Sequence, residues 1–146
     1  MPQKMGYFSV MMYSLTGGRA YRGNADSPAG FLKLTTTGRK SGKQRTTTLL
    51  YIRDGADYVI TASNAGKPQN PGWFHNVRST PQVSIQAHGT QIPVTAEVAD
   101  SEKRKALWAR LVEISPMYAG YEKRVQREIP MVILHPASAS PEKKAE

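Results

Sequence analysis

Two runs of β-strand composition, joined by a short basic loop, set the limits on how this chain folds. Phe31 to Thr37 and Arg45 to Ile52 are dense in β-branched and apolar residues. The loop between them holds two glycines, which a tight connection between strands needs for positive φ. Four cations also fall within seven residues: Arg39, Lys40, Lys43 and Arg45. Such a loop suits an oligoanionic ligand, and the alternative is a solvated hairpin tip whose charges keep a strand edge soluble.

The composition of the 146 residues fits one domain with a real core and narrows its chemistry. Lys and Arg number 20 against 11 Asp and Glu, a formal net charge of +9. This balance fits a nucleic acid, an anionic membrane surface or an anionic small molecule as partner. The absence of cysteine excludes disulfides, thiolate metal sites and cysteine nucleophiles. His75, His88 and His135 lack the spacing of metal ligands, so no metal site is predicted.

The remaining strand patterns predict an antiparallel barrel. Tyr58 to Ala62 completes a three-stranded meander with the two runs around the basic loop. Gln82 to Ala87 alternates strictly and Thr90 to Val98 returns from it, although Pro93 indicates an edge or a bulge. The apolar run Met131 to Leu134 predicts a last strand, buried on both faces. Six strands in hairpin order predict a mainly β fold with flanking helices, a small barrel closed by a late strand.

Three short helices are predicted between these strands. The first covers 73–77 and follows Asn70 and Pro71, of which Asn70 can cap and Pro71 suits the first turn. The second runs from Asp100 or Ser101, as its cap, to Ile114. The third covers 118–127, after Pro116.

A stripe at helical spacing near the N-terminus, formed by Met5, Phe8, Met12 and Leu15, predicts a further helix. This helix would pack on the barrel, and the alternatives are a lid over a hydrophobic substrate pocket or an interfacial membrane helix. No apolar run approaches the ~20 residues that span a bilayer and no cleavable signal is evident, so the expected compartment is the cytosol, with membrane association through this helix as the alternative. We therefore expect a helix and loop (1–30), a barrel (31–136), a disordered tail (137–146) and a monomer.

Four motifs follow one another from the basic loop onward. They are Thr35 to Gly42 with Arg45, Arg53-Asp54-Gly55, Ala62-Ser63, and Asn70 to Asn76. In this order and spacing they resemble the deazaflavin-dependent nitroreductase family of actinobacteria, class A of the flavin/deazaflavin oxidoreductases that use coenzyme F-420. The likeness runs from about Phe31 to His135. It implies a split β-barrel like that of the FMN-binding pyridoxamine-phosphate oxidases, and hydride transfer from reduced deazaflavin to quinones, enones or nitro compounds.

The resemblance also implies which residues bind the cofactor, whose phosphate and polyglutamate tail are anionic. Arg39, Lys40 and Arg45 would hold the phosphate or tail, with Ser41 and backbone N–H groups as further donors. The residues implied along the ring are Thr47, Thr48, Ala62, Ser63 and Asn64, and those of the closing segment are Lys67, Pro71, Trp73 and Asn76. Core packing is the alternative for Trp73, and helix capping or exposure is the alternative for Asn76. Many members carry Lys where Asn64 stands, so here Lys67 replaces that charge or the tail is held less tightly.

On the acceptor side, Tyr118 and Tyr121 match the family's aromatic wall, and Ser63 is the other candidate donor. A phenol there can stack on a flat acceptor and donate a hydrogen bond, while the alternative is that both are ordinary surface or core tyrosines. The partner is then a small-molecule hydride acceptor. Two other functions compete: an FMN-binding oxidoreductase of the same fold, and a basic nucleic-acid-binding barrel. The second is disfavoured because the cations concentrate in one loop and the late helices.

Overall fold

The computed structural model describes residues 27–125 and 127–137, in which six antiparallel strands close into a barrel. The strands are β1 (Ala29–Thr37), β2 (Gln44–Asp54), β3 (Asp57–Thr61), β4 (Gln82–Ala87), β5 (Thr90–Val98) and β6 (Met131–Pro136). Their order around the barrel is β1-β2-β3-β6-β5-β4, and β4 pairs back to β1. The predicted mainly β barrel, with its meander, its hairpin and its late closing strand, is confirmed.

The described helices are α1 (Gly72–Ser79), α2 (Ser101–Ile114) and α3 (Met117–Arg124), with a 3-10 turn at Asn64–Gly66. Asp100 caps α2 as predicted, because its carboxylate accepts a hydrogen bond from the N–H of Lys103 at 2.9 Å. Of the helices described, not one has the length and apolar character needed to cross a membrane. The predicted N-terminal helix falls within 1–26, and all of the predicted tail beyond Ala137 also lies outside the described residues.

Successive side chains of a strand point to opposite faces of the sheet, so the apolar side chains of this barrel form an inner and an outer cluster. The inner cluster fills the barrel and includes Leu34, Tyr51 and Ile60, all nearly inaccessible to solvent. Helix α1 adds Phe74 and Val77 to it, so this helix plugs the end of the barrel that carries the basic loop. The outer cluster packs α2 and α3 against the opposite faces of β1, β2, β3 and β6, through residues such as Ile52, Val59, Leu107, Trp108 and Leu111.

Three local predictions need correction. Strand β5 is not an edge, since it pairs with β4 on one side and β6 on the other; Pro93 is tolerated because its pairing to β6 begins one residue later, at Val94. Asn70 does not cap α1, whose N-cap is Pro71, because the Asn70 side chain accepts a hydrogen bond from Arg127 instead. Helix α3 ends at Arg124, where Val125 takes extended backbone angles.

A histidine bridge on β6 ties three strands together and makes the stability depend on pH. The Nδ1 of His135 lies 3.0 Å from Asp57, and its Nε2 lies 2.7 Å from Glu97. Burial lowers the pKa of His135, but the hydrogen bonds to Glu97 and Asp57 more than offset this, so its pKa is raised above the usual 6.5. The bridge therefore stabilises the fold fully at a pH below 6.5 and loses its effect as the pH rises through the raised value.

We expect His135→Gln to lower the free energy of unfolding by about 0.5–1 kcal/mol at pH 5.5, the range of exposed ion pairs. The difference from the wild type should vanish at about pH 9, where the imidazole is neutral in both states. Urea denaturation of the two proteins across this range measures the difference. A gap that stays constant or widens toward high pH would contradict the charged bridge.

Candidate functional site

The basic loop, Gly38 to Lys43, is closed by its own hydrogen bonds. The N–H of Gly38 donates to the carbonyl of Lys43 at 2.8 Å, and the N–H of Gly42 donates to the carbonyl of Gly38 at 2.8 Å. A side chain at position 38 would meet the Ser41 hydroxyl at 2.7 Å and the Lys43 carbonyl at 3.2 Å, and Gly42 has a φ of +75°, so both positions favour glycine for different reasons. The loop therefore presents its cationic side chains from a fixed backbone.

Asn76 connects this loop to helix α1. Its amide oxygen accepts a hydrogen bond from the N–H of Arg39 at 3.0 Å, and its amide nitrogen donates to the hydroxyl of Thr36 at 3.0 Å. Asn76 and Thr36 are both buried, at 9% and 2% exposure. Both ends of the amide are thus engaged within the protein, so Asn76 acts on the site by holding the loop in place.

Most backbone N–H groups of the basic loop already donate hydrogen bonds within the protein. Those of Gly38 and Gly42 bond within the loop, that of Arg39 bonds to Asn76, and that of Lys43 donates to the Ser41 hydroxyl at 3.1 Å. Within the described part of the chain, the amides of Lys40 and Ser41 are left to meet a ligand. The predicted backbone donors are therefore fewer than expected, and the loop offers an anion mainly its cationic side chains.

A cavity of about 400 Å³ opens between the basic loop, β2 and the start of α1. Its lining residues are Thr36, Arg45, Thr46, Thr47, Pro71, Gly72, Trp73 and Asn76. Five of them, Arg45, Thr47, Pro71, Trp73 and Asn76, are among the cofactor residues predicted from the sequence. Thr48, which was also predicted, is exposed and lies outside the lining.

The sequence reasoning missed three lining residues, of which Thr36 carried a recognisable signal. It follows Leu32 and Leu34 at a spacing of two, on the inward face of β1, so its hydroxyl interrupts an apolar stripe. Buried hydroxyls of this kind require a hydrogen-bond partner, which here is Asn76. Thr46 and Gly72 carried no signal that distinguishes them from their neighbours.

The predicted ring and acceptor residues after β3 form a second group. Ala62 and Ser63 are buried at the end of the strand, and the three residues that follow Ser63 all have positive φ. Tyr121 of α3 lies against this turn, since a side chain at Gly66 would meet its ring at 3.2 Å. The exposed side chain of Lys67 follows, while the side chain of Asn64 donates to the carbonyl of Gln69 at 2.9 Å.

The two tyrosines of α3 differ in their surroundings. Tyr118 is 7% exposed within the outer cluster, where its ring packs edge-to-face on Trp108 at 6.3 Å. Tyr121 is half-buried and packs edge-to-face on Tyr118 at 5.4 Å. Burial raises the pKa of both phenols, so each stays protonated and able to donate a hydrogen bond near neutral pH.

Arg127, which was not singled out from the sequence, is the residue that ties this second group together. Its guanidinium donates to the carbonyls of Ser63 and Lys67 at 3.0 and 3.1 Å, and to further acceptors nearby. Burial lowers its pKa, but an arginine remains charged at any physiological pH. No local pattern marks it, because its acceptors lie about sixty residues earlier in the chain.

The donor set fits a ligand that joins an anionic arm to a flat ring. Arg45 supplies a positive charge in the lining of the cavity, next to the basic loop, and the half-buried indole of Trp73 supplies an apolar wall. Threonine hydroxyls on β1 and β2 add further donors to the lining. The residues present are therefore compatible with a deazaflavin that carries a phosphate.

Comparisons with known proteins agree with this arrangement. A family model described as F420H(2)-dependent quinone reductase matches residues 8–136. An F420H(2)-dependent quinone reductase of Mycobacterium tuberculosis is 38% identical over 128 residues, 84% of each chain. A solved F420-H2 dependent reductase (FDR-A) is 37% identical, and the match covers 72% of this chain and 93% of that one with a TM-score of 0.66.

Two other solved structures bear on the assembly and the fold. One described as a domain-swapped dimer is 32% identical, with a TM-score of 0.67 over 87% of this chain and 98% of that one. The prediction of a monomer thus gains no support from the similar structures. A pyridoxamine 5'-phosphate oxidase-related, FMN binding protein from Nostoc punctiforme is 13% identical with a TM-score of 0.51 over 73% of this chain and 70% of that one, and it shares the barrel fold alone.

The family assignment follows from the extent of these matches. The family model matches nearly all of the residues that the structure describes. The relative from Mycobacterium tuberculosis is similar over most of both sequences. The chain belongs to the F420H(2)-dependent quinone reductase family, whose reductant is the reduced deazaflavin coenzyme F-420.

Proposed function

We propose that this chain reduces quinones with reduced F-420, and that enones and nitro compounds also serve as acceptors. The observation that carries the proposal is the cavity between the basic loop and α1, whose lining includes both Arg45 and Trp73. A deazaflavin needs both features, because it joins a flat apolar ring to an anionic arm. The barrel, residues 31–136, would form the whole binding unit for the cofactor.

The cofactor's anionic arm would lie along the basic loop. Arg45 lines the cavity, and the side chains of Arg39, Lys40 and Ser41 extend the donor set along the loop. The loop backbone is fixed by its hydrogen bonds and by Asn76, so these donors are held ready for an anion. A charge-assisted hydrogen bond from such a group contributes about 1.5–3 kcal/mol.

The ring would lie over the cavity, between β2 and the start of α1. Thr47 and Pro71 line its walls, and Trp73 covers it while packing edge-to-face on Phe74 at 6.4 Å. The segment from Ala62 through Asn64 to Lys67 would follow the ring's edge. When bound, the reduced cofactor supplies the hydride, and the residues of the chain orient it and exclude water.

The acceptor would lie beside Ser63 and Tyr121. As the acceptor takes up a hydride, negative charge develops on its oxygen, and a hydrogen-bond donor at that point lowers the barrier. The raised pKa of Tyr121 keeps its hydroxyl protonated for this role. Tyr118 would support it from behind, since its ring packs against that of Tyr121 within the outer cluster.

The proposal is tested by binding and turnover together. We expect the purified protein to bind oxidised F-420 more tightly than FMN in equilibrium dialysis. We also expect it to oxidise reduced F-420 with menadione, an enone and a nitroaromatic as acceptors. Tyr121→Phe should lower kcat with menadione by about tenfold at nearly constant KM, because it removes only a donor to the developing charge.

Tyr118→Phe is the matched control, because it removes a hydroxyl from the neighbouring ring and should leave kcat within about twofold. Equal losses in both variants would contradict the distinct role of Tyr121. Tighter binding of FMN than of F-420 would favour the FMN-binding oxidoreductase. Absence of turnover with all three acceptors would contradict the proposed function itself.

A further inference from the structure

A left-handed turn follows Ser63, at the point where β3 leaves the barrel. Asn64, Ala65 and Gly66 have φ values of +52°, +56° and +82°. This region is strained for any residue other than glycine, so the surrounding structure must hold such a turn in place. Asparagine is among the residue types that best tolerate this conformation after glycine, which fits Asn64 at the first position of the turn.

One guanidinium holds the whole segment from Ala62 to Asn70. Arg127 donates to the carbonyls of Ala62, Ser63, Lys67 and Gln69 at distances between 3.0 and 3.3 Å. It also donates to the side-chain oxygen of Asn70. All five acceptors are neutral, and their dipoles converge on the single positive charge of Arg127.

The planar guanidinium is well suited to this task. It carries five N–H donors in a fixed fork, whereas a lysine ammonium carries three donors on a flexible stem. Without the positive charge, several carbonyl dipoles would face one another, and the part-buried carbonyl of Ala62 would lose the donor that Arg127 supplies. The segment would then relax away from the left-handed conformation.

We propose that Arg127 is a positioning residue, which holds the turn after Ser63 so that Ser63 and Asn64 meet the cofactor ring and the acceptor. The role in the reaction rests on the proposed function, whereas the structural clamp does not. Arg127 acts from behind the segment, through backbone carbonyls. The basic loop, which would bind the anionic arm, is held separately by Asn76.

The test combines amide exchange in the free protein with kinetics. The N–H groups of Gly66 and Lys67 bond to the carbonyls of Ser63 and Asn64 at 3.0 Å each, so their exchange rates report the turn directly. In Arg127→Ala we expect these two amides to exchange at least about tenfold faster without any cofactor present. With menadione, kcat should fall about tenfold. The dissociation constant of oxidised F-420 should change less than about twofold, because the anionic arm would stay bound to the basic loop, which Asn76 holds separately.

Arg110→Ala is the matched control. Arg110 is also a half-buried arginine that donates to a backbone carbonyl, that of Arg53, but at the other end of the barrel. The Arg110→Ala substitution should leave both kcat and the amide exchange rates of Gly66 and Lys67 unchanged. Unchanged exchange in Arg127→Ala, an equal change in Arg110→Ala, or faster exchange with an unchanged kcat would each overturn the proposal. A wild type that neither binds F-420 nor reduces quinones would remove the proposed function, and the exchange comparison would still decide whether Arg127 holds the turn.

Discussion

Replacing Arg45 by alanine is expected to weaken the binding of oxidised F-420 by about 10- to 100-fold. Arg45 lies at the start of β2 and lines the cavity directly, beside a loop whose backbone is fixed. The loss of a charge-assisted hydrogen bond costs about 1.5–3 kcal/mol, and each 1.4 kcal/mol is a factor of ten in the dissociation constant. Equilibrium dialysis of both proteins against the cofactor measures the effect.

The salt dependence of F-420 binding should show whether the charge of Arg45 contributes to the affinity. Because Arg45 is exposed, raising the ionic strength should weaken wild-type binding more than that of Arg45→Ala. Lys105→Ala is the matched control, since it removes one exposed cation on α2, away from the cavity, and should change neither affinity nor salt dependence. Arg39→Ala and Lys40→Ala should act in the same direction as Arg45→Ala. Unchanged dissociation constants for F-420 in all three variants, Arg45→Ala, Arg39→Ala and Lys40→Ala, would contradict an anion site here.

The sequence was most informative where structure depends on neighbours along the chain. The runs on either side of the basic loop are dense in β-branched and apolar residues and are joined by a loop with two glycines. A hairpin there was therefore predictable, and it forms with Thr37 opposite Gln44. The last strand was predictable from its unbroken apolar run, which is buried on both faces from Met131 to Leu134. The order of the strands extended these local signals to a barrel, and the resemblance added the cofactor.

Contacts between distant parts of the chain were not predictable in the same way. Asn76 reaches Thr36 across 40 residues, and Arg127 reaches Ser63 across 64. Neither pair leaves a periodic pattern, because each depends on how α1 and the chain after α3 dock on the barrel.

Tyr118 and Tyr121 show that spacing along a helix does not by itself place two side chains in the same surroundings. Residues three apart on a helix differ by about 60° in direction, which lets one enter the outer cluster while the other reaches the turn at Gly66.

Asn76→Ala is expected to reduce both the free energy of unfolding and the affinity for F-420. The substitution leaves the buried hydroxyl of Thr36 without its partner and releases the N–H of Arg39. A buried group that loses its hydrogen bond costs about 1–3 kcal/mol, so we expect the unfolding free energy to fall by about 2–3 kcal/mol. Urea denaturation measures this loss, and dialysis against oxidised F-420 measures the accompanying loosening of the basic loop.

A double-mutant cycle with Thr36→Val separates the two hydrogen bonds of Asn76. Thr36→Val removes the hydroxyl at nearly constant volume, so in this background Asn76→Ala should cost about 1 kcal/mol less in stability than in the wild type. The effect on cofactor affinity should persist in that background, because it depends on the bond to Arg39, which Thr36→Val leaves intact. Strictly additive stabilities would contradict coupling between Asn76 and Thr36. An F-420 affinity that Asn76→Ala leaves unchanged in either background would mean that the loop keeps its shape without Asn76, and that the cations alone determine the binding.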